Sequence, residues 1–217
     1  MIYSENVLLC LSIPLLITVL FLRDMPRKVL EAFVLGMIIC LMSGYISGFA
    51  RIVSGMSAED TAVYVSPIIE ETVKLLPILF TMYVLEADDR ELFITAVAIG
   101  AGFATFENIC YLLSSGSMSL TFVLIRGLAV GTMHVASTVI LSSVIIVERR
   151  FNAVSLPSLT GALAMSSTLH ALYNLLVSEP GISSGIGYVM PFITAMILYA
   201  MFQSNALFPD TEEKTEK

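Results

Sequence analysis

Seven long apolar stretches separated by short polar connectors restrict most strongly how this chain can fold. A bilayer span needs about 20 mostly apolar residues, and 13% of the residues are charged, whereas a soluble domain carries roughly 25%. Backbone in lipid must satisfy its own hydrogen bonds, and these stretches do not alternate as barrel strands do. We therefore predict an all-α bundle of about seven transmembrane helices, forming one domain over residues 1–217. The predicted spans lie near residues 5–22, 29–50, 61–85, 92–114, 118–147, 154–177 and 186–208.

The distribution of basic residues predicts the orientation of this bundle. Eight Lys and Arg residues fall in connectors and the tail on one side, and only Arg51 falls on the other. Because cytoplasmic loops are enriched in Lys and Arg, we expect the N-terminus outside and the C-terminus, with a solvated tail at 209–217, in the cytoplasm. The pattern suits a multi-pass protein of a prokaryotic plasma membrane. The eight residues are Arg23, Arg27, Lys28, Arg90, Arg149, Arg150, Lys214 and Lys217.

Composition also excludes some function classes. The chain has no basic patch with interleaved aromatic residues, so we expect no nucleic-acid partner. The cysteines, Cys10, Cys40 and Cys110, lie apart in apolar stretches and form no CxxC pair. They are interpreted as small core residues rather than as a disulfide framework or zinc knuckle.

Ionisable side chains within the predicted spans are the strongest functional signal. Such groups are costly in hydrocarbon and mark functional sites by default. Both histidines of the chain are among them. The set comprises Glu70, Glu71, Lys74, Glu107, Arg126, His134 and His170, accompanied by Asn108, Tyr111 and Asn174.

Depth and spacing predict that these side chains meet. At 1.5 Å per residue, Glu70 lies about 14 Å, and Glu107 and His170 about 10 Å, below the outer ends of their helices. His134 falls deeper, at about 24 Å, on a segment long enough to tilt. Residues three or four apart share a helix face, so Lys74 can neutralise either Glu70 or Glu71.

Four ordered motifs on four successive predicted helices resemble those of the PrsW family of intramembrane proteases. Glu70-Glu71-Thr72-Val73-Lys74 matches the family's EExxK, and Phe106-Glu107-Asn108 with Tyr111 resembles its second motif. Arg126 followed by His134 and Ser137-Thr138 resembles the third, and His170 to Asn174 matches the final HxxxN. The resemblance covers about residues 60 to 180. It places the chain in a superfamily shared with CAAX prenyl endopeptidases and bacteriocin-immunity proteins.

The resemblance implies an endopeptidase that cuts a membrane-anchored protein near the extracytoplasmic side. A regulatory substrate such as an anti-sigma factor, cut there first, is what the family suggests. The lysine spacing of EExxK favours the PrsW branch over the CAAX branch, in which an arginine lies one residue further on. Substrate identity and oligomeric state do not follow from the sequence.

Two chemical schemes remain open. In the first, which needs no cofactor and is the one favoured here, Glu70 or Glu71 activates water with help from His134. His170 and Asn174 then bind the oxyanion. In the second, His134, His170 and Glu107 bind Zn²⁺, the common two-histidine, one-carboxylate catalytic set, and Glu70 or Glu71 is the base. Lys74 balances the acids, while Glu107, Asn108, Tyr111 and Arg126 support the site.

Two other function classes compete with proteolysis. Buried Glu, His and Lys side chains also form proton relays, so a proton-coupled transporter is one alternative. Transporters often carry inverted repeats with interrupted helices, and this sequence shows no such symmetry. A non-catalytic membrane scaffold is the other alternative, although a scaffold has no need to bury these groups.

Overall fold

The computed structural model describes residues 3–115, 119–151 and 154–203. The predicted tail at 209–217 and the end of the last predicted span lie outside these residues. The described chain is 90% helical, with no strand. Its long helices are α1 (Ser4–Val19), α2 (Asp24–Ser54), α3 (Ser66–Tyr83), α4 (Asp89–Ser115), α5 (Leu120–Arg150), α6 (Leu156–Ser178) and α7 (Ile182–Gln203). The predicted all-α fold is confirmed, and each predicted span overlaps one of these helices.

Four of these helices are long and apolar enough to cross a membrane by length and composition, namely α2, α4, α5 and α7. α1 is shorter, with 16 residues. α3 carries Glu70, Glu71 and Lys74, and α6 is rich in Ser and Thr, so neither meets that standard. Both α3 and α6 carry site residues, and their polar side chains lower the hydropathy below that of a membrane span. Seven spans therefore stay a prediction.

α5 is the central helix of the bundle. Its most apolar window is 72% buried, compared with 11% for α7. α4 packs between α2 and α5, while α6 and α7 cover the other side of α5. Large apolar side chains on α1, α2 and α7 are exposed, as expected where helices face lipid.

Glycines allow the central helices to approach closely. A Cβ atom at Gly100 would lie 2.8 Å from the carbonyl oxygen of His134, and one at Gly102 would collide with the carbonyl of Phe33. This close packing brings the backbone at His134 against α4. A Cβ atom would meet nothing within 4 Å at Gly44, Gly48, Gly127 and Gly131, so no close packing within the chain depends on these four glycines.

Ion pairs show which helix ends share one end of the bundle. Lys28 Nζ, near the start of α2, lies 2.6 Å from Glu91 Oε1 at the start of α4. Arg149 Nη1, at the end of α5, lies 3.4 Å from Asp89 Oδ1. Lys28 and Arg149, two of the basic residues assigned to one side, thus lie at the same end of the bundle. Which compartment this end faces stays a prediction.

Candidate active site

A buried ion pair anchors the site on α3. The side chains of Glu71 and Lys74 are both 0% exposed, and Lys74 Nζ lies 2.8 Å from Glu71 Oε1. The ammonium group also lies 4.3 Å from the centroid of the Phe103 ring. An isolated buried charge costs on the order of several kcal/mol, so each member needs the other. The spacing along α3 left either glutamate as the partner of Lys74, and the structure gives Glu71.

Four donors surround the carboxylate of Glu71. Oε1 accepts from Lys74, from Ser137 Oγ at 3.1 Å and from His170 Nδ1 at 2.9 Å. Oε2 accepts from Ser166 Oγ at 2.7 Å. Both oxygens accept hydrogen bonds and the side chain is fully buried, so this carboxylate is poorly placed to take a proton from water. Its hydrogen bonds instead orient the side chains around it, including His170.

His134 lies between a cation and a carboxylate. Its Nδ1 is 2.8 Å from Lys74 Nζ, and its Nε2 is 2.5 Å from Glu107 Oε2. Because an ammonium group only donates hydrogen bonds, Nδ1 is the acceptor, and Nε2 carries the proton donated to Glu107. Lysine thus fixes the tautomer of this histidine with its proton on Nε2, so this nitrogen can bind a metal ion only after that proton has left.

His170 presents a free nitrogen to Glu70. Its Nδ1 donates to Glu71, so Nε2 holds a lone pair, 3.7 Å from Glu70 Oε2. Among the described residues, the Glu70 carboxylate accepts no hydrogen bond. Two acceptor atoms that face each other at this distance leave a place that a proton or a metal ion can occupy. The ring of His134 lies edge-on to that of His170, with centroids 4.9 Å apart.

Glu107 of α4 pairs with two side chains of α5, His134 and Arg126. Its Oε1 accepts a hydrogen bond from Arg126 Nη2 at 3.1 Å. The guanidinium group stacks over Tyr111, 3.5 Å from the ring centroid, and its Nε is buried without a partner in the described chain. The Glu107 side chain is 35% exposed, more than any other acid of the site. It is therefore the carboxylate that water reaches most easily.

Asn174 contacts backbone at the start of α3. A helical turn, Ala58–Asp60, and a π-helical turn, Thr61–Val65, lead into this helix. In the π register the carbonyl of Ala62 would accept from residue 67, but Pro67 has no N–H. Asn174 Nδ2 donates to that carbonyl at 2.9 Å. Its side-chain amide is thus engaged in holding α6 against the approach to Glu70.

Two serines of the site lay outside the predicted set. Ser166 precedes His170 by four residues and Ser137 follows His134 by three, so each shares a helix face with its histidine. That spacing was the available signal, together with the place of Ser137 in the third motif, but serines are common in these helices and nothing else in the sequence singles out Ser166. The predicted supporting residue Asn108 is near the cluster, with a buried Oδ1 that lacks a partner among the described residues.

Three side chains of the site fit a metal ion. One ligand atom each from Glu70, His134 and His170 lies within 4.8 Å of the other two. Two histidines and one carboxylate form a common catalytic zinc shell. Glu71 accepts a hydrogen bond from His170 Nδ1, as carboxylates next to metal-bound histidines do in zinc sites. Glu70, where the sequence had suggested Glu107, thus completes the set in the structure.

The charge of the cluster also suits a cation. Three carboxylates, Glu70, Glu71 and Glu107, lie close to two cationic side chains, Lys74 and Arg126. When all five are ionised, one negative charge is in excess. Buried charges are retained when they are paired or bind metal ions. A cation bound at the cluster would offset this excess.

Two cavities reach the cluster from different sides. One, of about 340 Å³, lies between α1, α2, α3 and α4, and Glu70 and Glu107 line it. The other, of about 210 Å³, lies between α4, α5, α6 and α7, and Glu107, His134 and His170 line it. Glu107 borders both, so a substrate and water can approach the same carboxylate separately.

Comparisons with known proteins agree with this geometry. Residues 25–202 match a family described as PrsW family intramembrane metalloprotease. No curated protein and no solved structure gave a significant match. The matched region contains every residue of the cluster and most of the chain. The chain belongs to the PrsW family of intramembrane metalloproteases.

Proposed function

We propose that this intramembrane protease cleaves a peptide bond at the Glu70, His134 and His170 cluster, where these side chains hold a metal ion. The observation that carries the proposal is their convergence, from three helices, to within 4.8 Å of one another. A zinc ion bound there would supply an activated water and polarise the scissile carbonyl. The remaining roles fall to side chains around this set.

Glu107 is the general base in this proposal. It is the most exposed acid of the site, whereas Glu71 is fully buried and both of its carboxylate oxygens accept hydrogen bonds. For His134 to bind a metal ion through Nε2, that nitrogen must release its proton to solvent, and its hydrogen bond to Glu107 Oε2 must open. The same change frees a carboxylate oxygen beside the site, which can then accept a proton from water and pass it to the leaving amine.

Arg126 is the candidate group for stabilising the oxyanion. Its guanidinium group lies beside Glu107, and its Nε–H has no partner within the described chain. An aligned donor of this kind stabilises the negative charge that develops on the carbonyl oxygen during attack. Asn174 can take part only if it releases the carbonyl of Ala62.

A metal-free scheme keeps support from one observation. The 2.5 Å contact between His134 Nε2 and Glu107 Oε2 is a histidine–carboxylate pair that can move protons without a metal ion. In that scheme Glu70 and Glu107 activate water, and Lys74 holds His134 in place. Metal content separates the two schemes.

We propose a membrane-anchored regulatory protein, such as an anti-sigma factor, as the substrate, cut near the extracytoplasmic side of a prokaryotic plasma membrane. Glu107 lies 18 residues into α4, about 27 Å from the end of the bundle at which the basic residues cluster. If that end is cytoplasmic, the cluster lies in the outer half of the bilayer. The anti-sigma substrate follows from the family resemblance.

The substitution Glu107→Gln tests the base. We expect kcat to fall by about 10²- to 10⁴-fold, because glutamine cannot accept a proton, while bound zinc stays at the wild-type level. The assay uses protein reconstituted in vesicles with quenched fluorescent peptides, each with an apolar segment of about 20 residues. Glu91→Gln is the matched control, since Glu91 is also a salt-bridged acid of α4 but lies far from the cluster. A kcat within twofold of wild type for Glu107→Gln would remove Glu107 from the mechanism.

A further inference from the structure

The cavity between α1, α2, α3 and α4 connects the cluster to the surface of the bundle. At its inner end lie the carboxylates of Glu70 and Glu107. At its outer end lie Gly44 and Tyr45 of α2, and Tyr45 is 57% exposed. A volume of about 340 Å³ is in the range of ligand pockets. A segment of a neighbouring membrane protein can therefore reach the reactive carboxylates from the lipid-facing side.

One face of α2 forms a wall of this cavity with small residues. Cys40, Ser43, Gly44 and Ser47 line it at helical spacing. A Cβ atom at Gly44 would meet nothing within 4 Å, so the space beside this backbone is open. Phe103 and Phe106 of α4 also line the cavity, which therefore combines apolar side chains with a narrow polar strip.

Ser47 supplies an unused hydrogen-bonding group in that strip. Its side chain is 8% exposed, and its Oγ has no hydrogen-bond partner among the described residues. Ser43, one turn earlier, instead donates to the carbonyl of Cys40. A buried hydroxyl without a partner calls for an explanation, and a ligand that enters the cavity would provide one.

A peptide segment about to be cleaved needs such a group. Its scissile bond is accessible only where the helix is unwound, and backbone N–H and C=O groups freed in the membrane must find new partners. Ser47 can pair with one of them, while the open space beside Gly44 accepts the adjacent side chain. The aromatic wall favours an apolar side chain at that position.

We infer that this cavity is the substrate cleft, in which an unwound segment of a membrane-spanning protein bonds to Ser47 and places one apolar side chain beside Gly44. The inference rests on the proposed function and adds the substrate class and two specificity-determining residues. The second cavity, lined by the histidines and Arg126, meets the cleft at Glu107, so water and the Arg126 guanidinium group approach the scissile bond from that side.

Gly44→Leu and Gly48→Leu form a matched pair for testing this cleft. Both glycines are on α2 with open space beside them, but only Gly44 lines the cavity. The probe is a series of quenched fluorescent peptides with an apolar segment of about 20 residues, in which one position near the cleavage point is Ala, Leu or Phe. For Gly44→Leu we expect KM to rise at least tenfold for the Leu and Phe peptides and less for the Ala peptide. Gly48→Leu should match wild type, and bound zinc should be unchanged in both.

A second variant examines the hydroxyl. Ser47→Ala is expected to raise KM several-fold for all three peptides, and Ser47→Thr, which keeps a hydroxyl, should restore most of the loss. Equal KM values for Gly44→Leu, Gly48→Leu and wild type would show that this cavity does not bind the substrate. Ser47→Ala with wild-type KM would overturn the role of Ser47. A wild-type protein that cleaves none of these peptides would instead contradict the proposed proteolysis, so the two failures are distinguishable.

Discussion

Replacing Glu70 by glutamine is expected to abolish both metal binding and proteolysis. In the structure the Glu70 carboxylate accepts no hydrogen bond within the described residues and faces the lone pair of His170 Nε2 at 3.7 Å. A neutral amide cannot neutralise a divalent cation and is a poor zinc ligand. We expect bound zinc to fall from about one per chain to below a tenth, and cleavage of the membrane peptides to fall by at least 10³-fold. Mass spectrometry of the metal and peptide cleavage in vesicles measure both.

Comparison with Glu107→Gln makes the Glu70 result specific. Both substitutions change one carboxylate into an amide beside the same histidines. The proposed roles predict loss of metal and activity for Glu70→Gln, but loss of activity alone for Glu107→Gln. If the two results were exchanged, so that zinc is lost only from Glu107→Gln, the ligand set suggested by the sequence would be right, and Glu70 would be the base.

Replacing Lys74 by methionine is expected to cause the largest loss of stability. Methionine approximates the length of the lysine stem but leaves Glu71 buried without its cation. Removing one partner of a buried ion pair typically costs about 3–5 kcal/mol, and here both side chains are 0% exposed. Reversible unfolding in mixed detergent micelles, followed by circular dichroism, measures the change in the free energy of unfolding.

Two controls show whether the cost comes from the unpaired charge. The double replacement Glu71→Gln with Lys74→Met removes both charges and should recover more than half of the loss. Glu31→Gln breaks the exposed pair between Arg27 and Glu31, where the side chains are 52% and 45% exposed, and should cost about 0–1 kcal/mol. A loss at Lys74→Met no greater than that of Glu31→Gln would show that the pair does not stabilise the bundle.

The sequence predicted the helices and the meeting of the polar residues well, because both follow from the cost of polar groups in lipid. An apolar stretch bounded by short connectors has few alternatives to a helix. Charged side chains on different helices gain most by pairing with one another. The structure accordingly brings Glu70, Glu71, Glu107, His134 and His170 into one cluster.

The sequence did not predict how each helix is rotated about its axis. Spacing along α3 allowed Lys74 to pair with either glutamate, and the structure gives Glu71, because Ser137, Ser166 and His170 surround that carboxylate. The same rotation turns Glu70 towards His170. These contacts join residues far apart in the chain, so no local spacing encodes them. The position of Glu70, rather than Glu107, within 4.8 Å of both histidines at the candidate metal site has the same origin.

Metal content measured together with activity in the wild-type protein tests the central claim most directly. The protein is purified in detergent, its metal counted by mass spectrometry, and peptide cleavage assayed before chelation, after chelation and after zinc is added back. The proposed site predicts about one zinc ion per chain, at least a tenfold loss of cleavage on chelation, and recovery with zinc. Cleavage by a metal-free protein that a strong chelator leaves unchanged would contradict the metal site and support water activation by Glu70, Glu107 and His134 alone.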